Sequence, residues 1–113
     1  MHPGEIYLAH FPFGDVAGMK LRPVLLLTEP VGLIPEILVA YISSVVPAQL
    51  LTSDLLIDPQ TVDFRSTNVK VRSVLRLHKL ATIHCSSLAR SLGEFQPPAQ
   101  SVVSAKLKAL LNL

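Results

Sequence analysis

The sequence has no tryptophan, one cysteine, and only two tyrosines and four phenylalanines among its 113 residues. A single cysteine cannot form an intramolecular disulfide, so the fold does not depend on an oxidising compartment, and Cys85 is expected to be a small buried residue. The sequence also lacks an apolar run long enough to span a membrane and the charged-then-apolar start of a signal peptide. We therefore expect a cytoplasmic protein with no membrane association.

Half of the residues are hydrophobic, but aromatic residues make up only 5%, so leucine, valine and isoleucine must supply the core. This composition, with nine prolines, favours a β-sheet over a helical bundle. The length predicts one domain that covers residues 1–113. The net charge of +2 permits a polyanionic partner without requiring one.

Alternating or continuous apolar segments between proline and glycine breaks predict a mainly β fold of five to seven short strands, in a strongly curved sheet or barrel. Residues 60–68 are polar and predict a loop or a weak edge strand. The last predicted strand, 79–84, either continues the one before it or follows a bend. The predicted strands are 5–11, 22–28, 37–43, 53–58, 69–77 and 79–84.

Two helices are predicted near the end of the sequence. Residues 86–95 begin with serines and contain Gly93 as a stop signal, which suits a short helix. Residues 100–113 place apolar side chains at helical spacing after a pair of prolines, which predicts an amphipathic helix packed on the sheet. The apolar stripe of this second helix consists of Val103, Leu107, Leu110 and Leu111.

The segment "KVRSVLRLHK" is the most informative for function. Because side chains alternate across a strand, one face would be apolar and the other would carry Lys70, Arg72, Arg76 and His78. Such a face can simply be solvated, but like charges at this spacing repel one another unless an anion compensates them. A phosphate chain would do so.

Arg22 stands before Pro23, next to a loop that contains Gly14 and Gly18. An arginine there can be an ordinary surface residue, but its rigid donor fork also suits a phosphate, and flexible loops of this kind close over ligands. Ser43 and Ser44 end an apolar strand, where hydroxyls commonly satisfy local backbone groups.

Other chemistry has little support in the sequence. No G-x-S-x-G elbow is present for a serine hydrolase, and the four histidines do not have the spacing of zinc ligands. The segment "GDVAG" also lacks the lysine spacing and the helix of a phosphate-binding loop. We expect neither a metal site nor a cofactor.

Several motifs occur in the order found in a known family. The segments "GEIYLAHFPFGDVAGMKLRPVLLLTE", "LVAYISS", "LLTSDLLID" and "VRSVLRLHKLATI" together resemble the MazF/PemK toxins of type II toxin–antitoxin systems. In particular, "LRPVLLL" resembles the family's G-x-x-x-RP-x-L-x-L signature, and "ISS" stands where the family usually has "ITS". The resemblance implies a small SH3-like β-barrel with a C-terminal helix and a homodimer. It also implies a cognate antitoxin partner and metal-independent cleavage of single-stranded RNA, including mRNA, at short sequences.

The resemblance also assigns roles to residues. It implies that Arg22 acts on the scissile phosphate, that Ser43 takes the place of the family's threonine, and that Arg76 corresponds to a further arginine in the family's late strand. His78 stands where many relatives have an aspartate. Both arginines can stabilise negative charge on a phosphate. In such a cleavage the 2′-OH attacks phosphorus while one group takes a proton and another donates one. A histidine can carry protons near neutral pH, so this substitution is compatible with an active nuclease or with a protein that binds RNA and cuts it poorly.

Further residues are candidates for contacting RNA. Phe13 offers a surface on which an unpaired base can stack, although it can equally belong to the core. A rival hypothesis is a non-catalytic CcdB-like module that inhibits another protein through apolar residues of its C-terminal helix. A degenerate RNA-binding member of the same fold is a further alternative. The candidate RNA-binding residues are His10, Phe13, Lys20, Ser44, Lys70 and Arg72.

Overall fold

Six antiparallel strands and one C-terminal helix make up the computed structural model, which describes residues 1–11 and 20–113. The strands lie in one sheet in the order β4-β5-β3-β2-β1-β6. The predicted mainly β fold with a terminal helix is thus confirmed. The edge strands β4 and β6 do not pair with each other in these residues, so the sheet is open and "barrel" describes it only loosely. The elements are β1 (Glu5–Phe11), β2 (Lys20–Leu26), β3 (Glu36–Ser43), β4 (Asp54–Ile57), β5 (Ser73–His84), β6 (Leu88–Glu94) and α1 (Pro97–Leu111).

The two faces of the sheet have different cores. The helix-side face packs against α1 through a large apolar cluster that includes Phe95, Ala99 and Val103 of the C-terminal segment. The opposite face carries a smaller apolar cluster. The sheet residues of the helix-side cluster include Ile6, Leu25, Ala40, Ile42, Ile57, Leu75 and Leu77. The buried residues of the opposite cluster are Ala9, Val24, Leu26, Ile37 and Val39.

Strand β2 begins at Lys20, two residues earlier than predicted, so Pro23 lies inside the strand. It is tolerated there because β3 pairs with β2 only from Val24 to Leu26. At Pro23 the strand has β1 as its neighbour, through Leu8, and the missing N–H removes no bond to β3.

The predicted helix over 86–95 is wrong, because this segment forms β6 after a short 3₁₀ turn, Cys85–Ser87. Strand β6 pairs with β1, and its other edge lies against the 3₁₀ turn Arg65–Thr67. Asn68 Nδ2 donates a hydrogen bond to Leu92 O over 2.6 Å. A Cβ atom on Gly93 would collide with the carbonyl oxygen of Ser66. Gly93 is therefore needed for this close approach and does not end a helix.

The predicted strand over 69–77 begins only at Ser73. Lys70 and Arg72 precede it, so the prediction that they share a strand face with Arg76 is wrong. From Ser73 the strand runs without a break to His84. Residues 79–84 therefore continue the preceding strand and do not form a separate one. The ladder between β5 and β3 shifts between the pairs Tyr41↔Arg76 and Ala40↔Leu80, so the intervening residues 77–79 form a bulge.

Helix α1 is confirmed but begins earlier than predicted. Pro97 and Pro98 form its first turn, where a missing N–H costs nothing. Val103 is buried and Leu107 half-buried, whereas Leu110 and Leu111 are exposed, so only half of the predicted apolar stripe packs on the sheet. Cys85 is half-buried, not buried. In the residues that the structure describes, no helix is long and apolar enough to cross a membrane.

Candidate functional site

One row of residues crosses five strands on the opposite face of the sheet. Tyr7 pairs with Val24, which pairs with Tyr41; Tyr41 in turn pairs with Arg76, and Arg76 with Asp54. Directly paired residues point to the same side of a sheet. The row therefore changes from an apolar residue at its second strand to an ion pair at the sheet edge.

The ion pair joins Asp54 of β4 to Arg76 of β5. Arg76 Nε lies 2.8 Å from Asp54 Oδ1. The Asp54 side chain is completely buried, and that of Arg76 is 19% exposed. The distance is short, but the N–H does not point at the oxygen, so these two buried atoms have no hydrogen-bond partner in the described part of the chain. The attraction is therefore electrostatic, between two charges largely removed from water.

The other oxygen of this carboxylate is fixed by the preceding turn. Asp54 Oδ2 accepts a hydrogen bond from the backbone N–H of Leu51 over 2.8 Å, and the Asp54 N–H donates to Leu51 O over 3.0 Å. These two bonds hold the carboxylate at the start of β4, with Oδ1 turned toward β5.

Two further side chains reach this region from the bulge of β5. His78 Nδ1 lies 3.9 Å from Asp54 Oδ1, so the carboxylate faces both Arg76 and His78. Lys79 Nζ lies 5.7 Å from the centroid of the Tyr41 ring, a distance at which a cation is attracted to the ring face. We call Tyr41, Asp54, Arg76, His78 and Lys79 the polar cluster.

Strand register places Arg22 and Ser43 on the same face of the sheet as the polar cluster. Arg22 pairs with Ala9 two residues before Val24, and Ser43 lies two residues after Tyr41, so strand alternation gives both the orientation of the row. Ser43 Oγ accepts a hydrogen bond from the Val45 N–H over 3.1 Å and donates to Val45 O over 3.4 Å. The Ser43 hydroxyl thus takes part in a local turn.

A cationic cleft of about 260 Å³ lies on the helix-side face, where Ile42 and Val69 of the helix-side cluster line it. No residue of the polar cluster lines this cleft. Arg22, Lys70 and Arg90 line it together with Ser44 and Asn68, and the rest of its lining is apolar apart from Ser73. None of the described residues that line it is acidic. This combination suits a ligand with negative charge and flat apolar surfaces. The apolar lining residues are Leu8, Pro23, Ile42, Val69, Val71 and Leu92.

The other predicted RNA-binding residues that the structure describes belong neither to the polar cluster nor to the cleft. His10 and Lys20 are exposed on β1 and β2, and Arg72 is exposed just before β5. None of the three lines the cleft as the described residues define it. Phe13 lies outside the described residues.

Sequence reasoning missed three residues, namely Asp54, Lys79 and Arg90. The signal for Asp54 is a carboxylate at the first position of the apolar strand "DLLI", where a charge is costly unless it is paired. Lys79 was missed because strict alternation places it on the other face from Arg76, and the bulge overturns that rule. Arg90 was missed because its segment was predicted to be helical.

The polar cluster brings Arg76, His78 and Lys79 to one edge of the sheet. In the described residues, no group of three or more His, Cys, Asp or Glu side chains is arranged to hold a metal ion. Guanidinium groups can stabilise negative charge on a phosphate, and a histidine can transfer a proton. The arrangement is therefore chemically suited to act on a phosphodiester.

Comparison with solved structures shows the same fold in bacterial toxins. The Mycobacterium tuberculosis toxin MazF-mt6 matches with a TM-score of 0.74 and 22% identity, over 96% of this chain and 97% of that one. A mycobacterial endoribonuclease in complex with its cognate antitoxin matches with a TM-score of 0.69 and 13% identity, over 100% and 96%. MazF from Deinococcus radiodurans gives a TM-score of 0.65 and 16% identity, over 99% and 96%.

At these identities the structural likeness concerns the fold alone. A search of curated proteins returns no match. The family comparison is more specific, because the model for the PemK-like, MazF-like toxin of type II toxin–antitoxin systems matches residues 2–111. Since that match spans nearly the whole sequence and includes every strand that carries the polar cluster, the chain belongs to the PemK-like, MazF-like toxin family of type II toxin–antitoxin systems.

Proposed function

We propose that this toxin is a metal-independent endoribonuclease that cleaves single-stranded RNA in the cytoplasm. The observation that carries the proposal is the polar cluster, in which Arg76 and His78 lie within 4 Å of Asp54. Arg22 adds a further cation, and it also lines a cleft with three cationic side chains and no acidic one among the described residues. Its family and its fold, shared with proteins described as endoribonucleases, support the same reaction.

In the proposed reaction the 2′-OH attacks the adjacent phosphorus, and the 5′-oxygen leaves. Arg22 and Arg76 stabilise the negative charge that develops on the phosphorane, because arginine is a permanent cation and a poor base. His78 transfers a proton. The Ser43 hydroxyl donates only a long hydrogen bond of 3.4 Å, so its hydrogen can turn to a phosphate oxygen and orient it.

The remaining candidates contact the RNA on either side of the scissile bond. Lys70 and Ser44 bind the chain within the cleft, because both line it. The exposed side chains of His10, Lys20 and Arg72 contribute positive charge or hydrogen bonds along the path of the RNA. Phe13 is proposed as a stacking surface for an unpaired base.

We further propose that the protein is a homodimer and that a cognate antitoxin inhibits it. One structural neighbour is a mycobacterial endoribonuclease bound to its antitoxin, and another is a MazE–MazF complex from Deinococcus radiodurans. A cationic cleft with apolar walls suits an extended antitoxin segment that carries acidic and apolar side chains. Such a segment would compete with RNA for Arg22 and Lys70.

The direct test is cleavage of a long single-stranded RNA in EDTA, beside a DNA of the same sequence. We expect discrete RNA fragments that end in 2′,3′-cyclic phosphate and no cleavage of the DNA, which lacks the attacking hydroxyl. Arg22→Ala should lower the rate about 100-fold or more, the cost of losing one group that stabilises the transition-state charge.

The matched control is Lys108→Ala, which removes one positive charge from α1, outside the cleft. It should cut RNA at the wild-type rate. Intact RNA from a preparation shown to be folded would contradict the proposal, and so would equal losses in both variants.

A second candidate function is a non-catalytic module that binds and inhibits another protein. It is favoured by the end of α1, where Leu111 is 52% exposed and Leu113, just beyond the helix, is 88% exposed. Replacing both leucines with serine should abolish toxicity if the protein acts by gripping a partner through this surface. The same change should leave RNA cleavage intact if the protein is a nuclease.

A further inference from the structure

We infer, on the basis of the proposed nuclease function, that Asp54 is a positioning residue that holds Arg76 and His78 for the reaction. Asp54 does not need to touch the RNA in this role. It acts through the two side chains that face its Oδ1 atom, at 2.8 Å for Arg76 Nε and 3.9 Å for His78 Nδ1.

Burial gives this carboxylate its orienting capacity. Its side chain is completely buried, and burying a charge is costly unless an opposite charge compensates it. The Leu51 N–H satisfies only Oδ2, so the remaining charge density of the carboxylate is directed at β5. Because solvent cannot screen this attraction effectively, Asp54 restrains the Arg76 side chain more than an exposed carboxylate would.

The geometry leaves Arg76 able to act on a ligand while it is restrained. Nε faces Asp54 and the side chain remains 19% exposed, so in this inference the terminal nitrogens of the guanidinium reach the phosphate. The neighbouring residue of the row, Tyr41, is half-buried on the other side of Arg76. In the register of the sheet, Arg76 thus lies between Asp54 and Tyr41.

Histidine 78 also depends on this carboxylate, because it lies in the bulge of β5 and not in a regular ladder. Its Nδ1 atom lies 3.9 Å from Asp54 Oδ1, whereas Arg76 and Lys79, its charged neighbours on β5, contact Asp54 and the Tyr41 ring. The Asp54 carboxylate is therefore placed to restrain the imidazole by electrostatic attraction.

The test compares Asp54→Asn with the wild type and with Asp58→Asn. Asparagine keeps the shape of the side chain and an acceptor for the Leu51 N–H but removes the charge. Asp58 follows the other end of β4, where its carboxylate accepts the Gln60 N–H over 3.0 Å, so Asp58→Asn makes the same chemical change away from Arg76. Asp54→Glu, which keeps the charge but displaces it, serves as a second variant if Asp54→Asn does not fold.

Two quantities are measured on folded protein. The first is the ¹⁵N order parameter of Arg76 Nε without RNA, with exposed Arg65 as the internal reference. The second is kcat and KM for RNA cleavage. We expect Asp54→Asn to lower the Arg76 order parameter toward that of Arg65 and to lower kcat about 100-fold, the effect of a small misplacement of a reacting group, while KM changes little. Asp58→Asn should change neither quantity.

A rescue variant separates positioning from a purely structural role. In Asp54→Asn combined with His78→Asp, a carboxylate returns to a site beside Arg76, and we expect the Arg76 order parameter to recover. An ordered Arg76 and a kcat within twofold of wild type in Asp54→Asn would overturn the inference. If the wild type does not cut RNA, the proposed function fails on its own. The order parameter then still decides whether Asp54 positions Arg76.

Discussion

The buried side chains on the two faces of the sheet are stabilised in different ways. On the helix-side face, buried apolar side chains from the sheet, Phe95 and α1 form one continuous cluster. On the opposite face, a small apolar cluster gives way to the buried pair of Asp54 and Arg76. An apolar side chain is stabilised by any close-packed apolar neighbour, whereas a buried charge needs one specific partner.

This difference has consequences for function. The helix-side face tolerates changes of partner as long as volume is conserved, so it can stabilise the fold without fixing the position of any one side chain. The pair of Asp54 and Arg76 contributes less to stability than its short distance suggests, because removing both charges from water offsets much of their attraction. What the pair provides is a guanidinium with a defined position.

The largest expected effect is the loss of the Phe95 ring from the helix-side face. Phe95 is 1% exposed, and its ring packs edge to face on Phe64, with centroids 5.6 Å apart. Phe95→Ala should lower the free energy of unfolding by about 3–5 kcal/mol, because it removes buried surface and leaves a cavity. Urea unfolding measures this change.

The control for Phe95→Ala is Val62→Ala, at a valine that is 74% exposed. It should change the free energy of unfolding by less than about 0.5 kcal/mol. Similar losses in the two variants would mean that the helix-side cluster is not the main stabilising core.

A smaller loss is expected when the ion pair on the opposite face is broken. Arg76→Met leaves the buried Asp54 charge without its partner and should cost about 3 kcal/mol. The double variant Asp54→Leu, Arg76→Met should recover most of that loss, because it replaces the pair with apolar side chains of similar size. Urea unfolding of the wild type, Asp54→Leu, Arg76→Met and the double variant gives the coupling free energy between the two side chains.

The same four proteins can contradict the comparison between the faces. If the loss in free energy of unfolding in the double variant equals the sum of the losses in the two single variants, the two side chains behave like independent core residues. The contrast between a replaceable apolar cluster and a specific ionic partner would then fail.

The apolar parts of the fold could be predicted from the sequence, and the polar parts only incompletely. Strands β1 and β3 were predicted almost to the residue, since apolar and β-branched runs bounded by proline and glycine have few alternatives. The β6 segment "LARSLGE" was mistaken for a helix, because Gly93 is required by a contact with Ser66, distant in sequence. No local pattern encodes such a contact.

The candidate site shows the same limit. Arg76 and His78 were predicted to lie together, and both lie within 4 Å of Asp54. Asp54 itself was missed, because its partnership with Arg76 depends on the register of β4 against β5. The bulge at 77–79 also brings Lys79 toward Tyr41, and a bulge cannot be located by counting alternate residues.

The smallest expected effect concerns Tyr7, at the other end of the row from Asp54. Burial, and secondarily the negative charge of Glu5, raise the pKa of the Tyr7 hydroxyl above its usual value near 10. Because the folded protein holds this proton more tightly than the unfolded chain, the contribution of Tyr7 is complete below about pH 10. It is lost as the pH rises through the raised pKa. Urea unfolding between pH 8 and 11 should therefore show a shallower alkaline fall in stability for Tyr7→Phe than for the wild type.

Glu5→Gln tests how much of the raised pKa of Tyr7 comes from burial and how much from the charge of Glu5. Because burial is the larger cause, removing the Glu5 charge should lower the pKa of Tyr7 only slightly, and the alkaline fall should stay close to that of the wild type. A fall in Glu5→Gln as shallow as in Tyr7→Phe would make the charge of Glu5 the dominant cause. The Tyr7 end of the row would then be governed, like the Asp54 end, by one charged partner, and the contrast between apolar packing and specific pairing would not hold along this row.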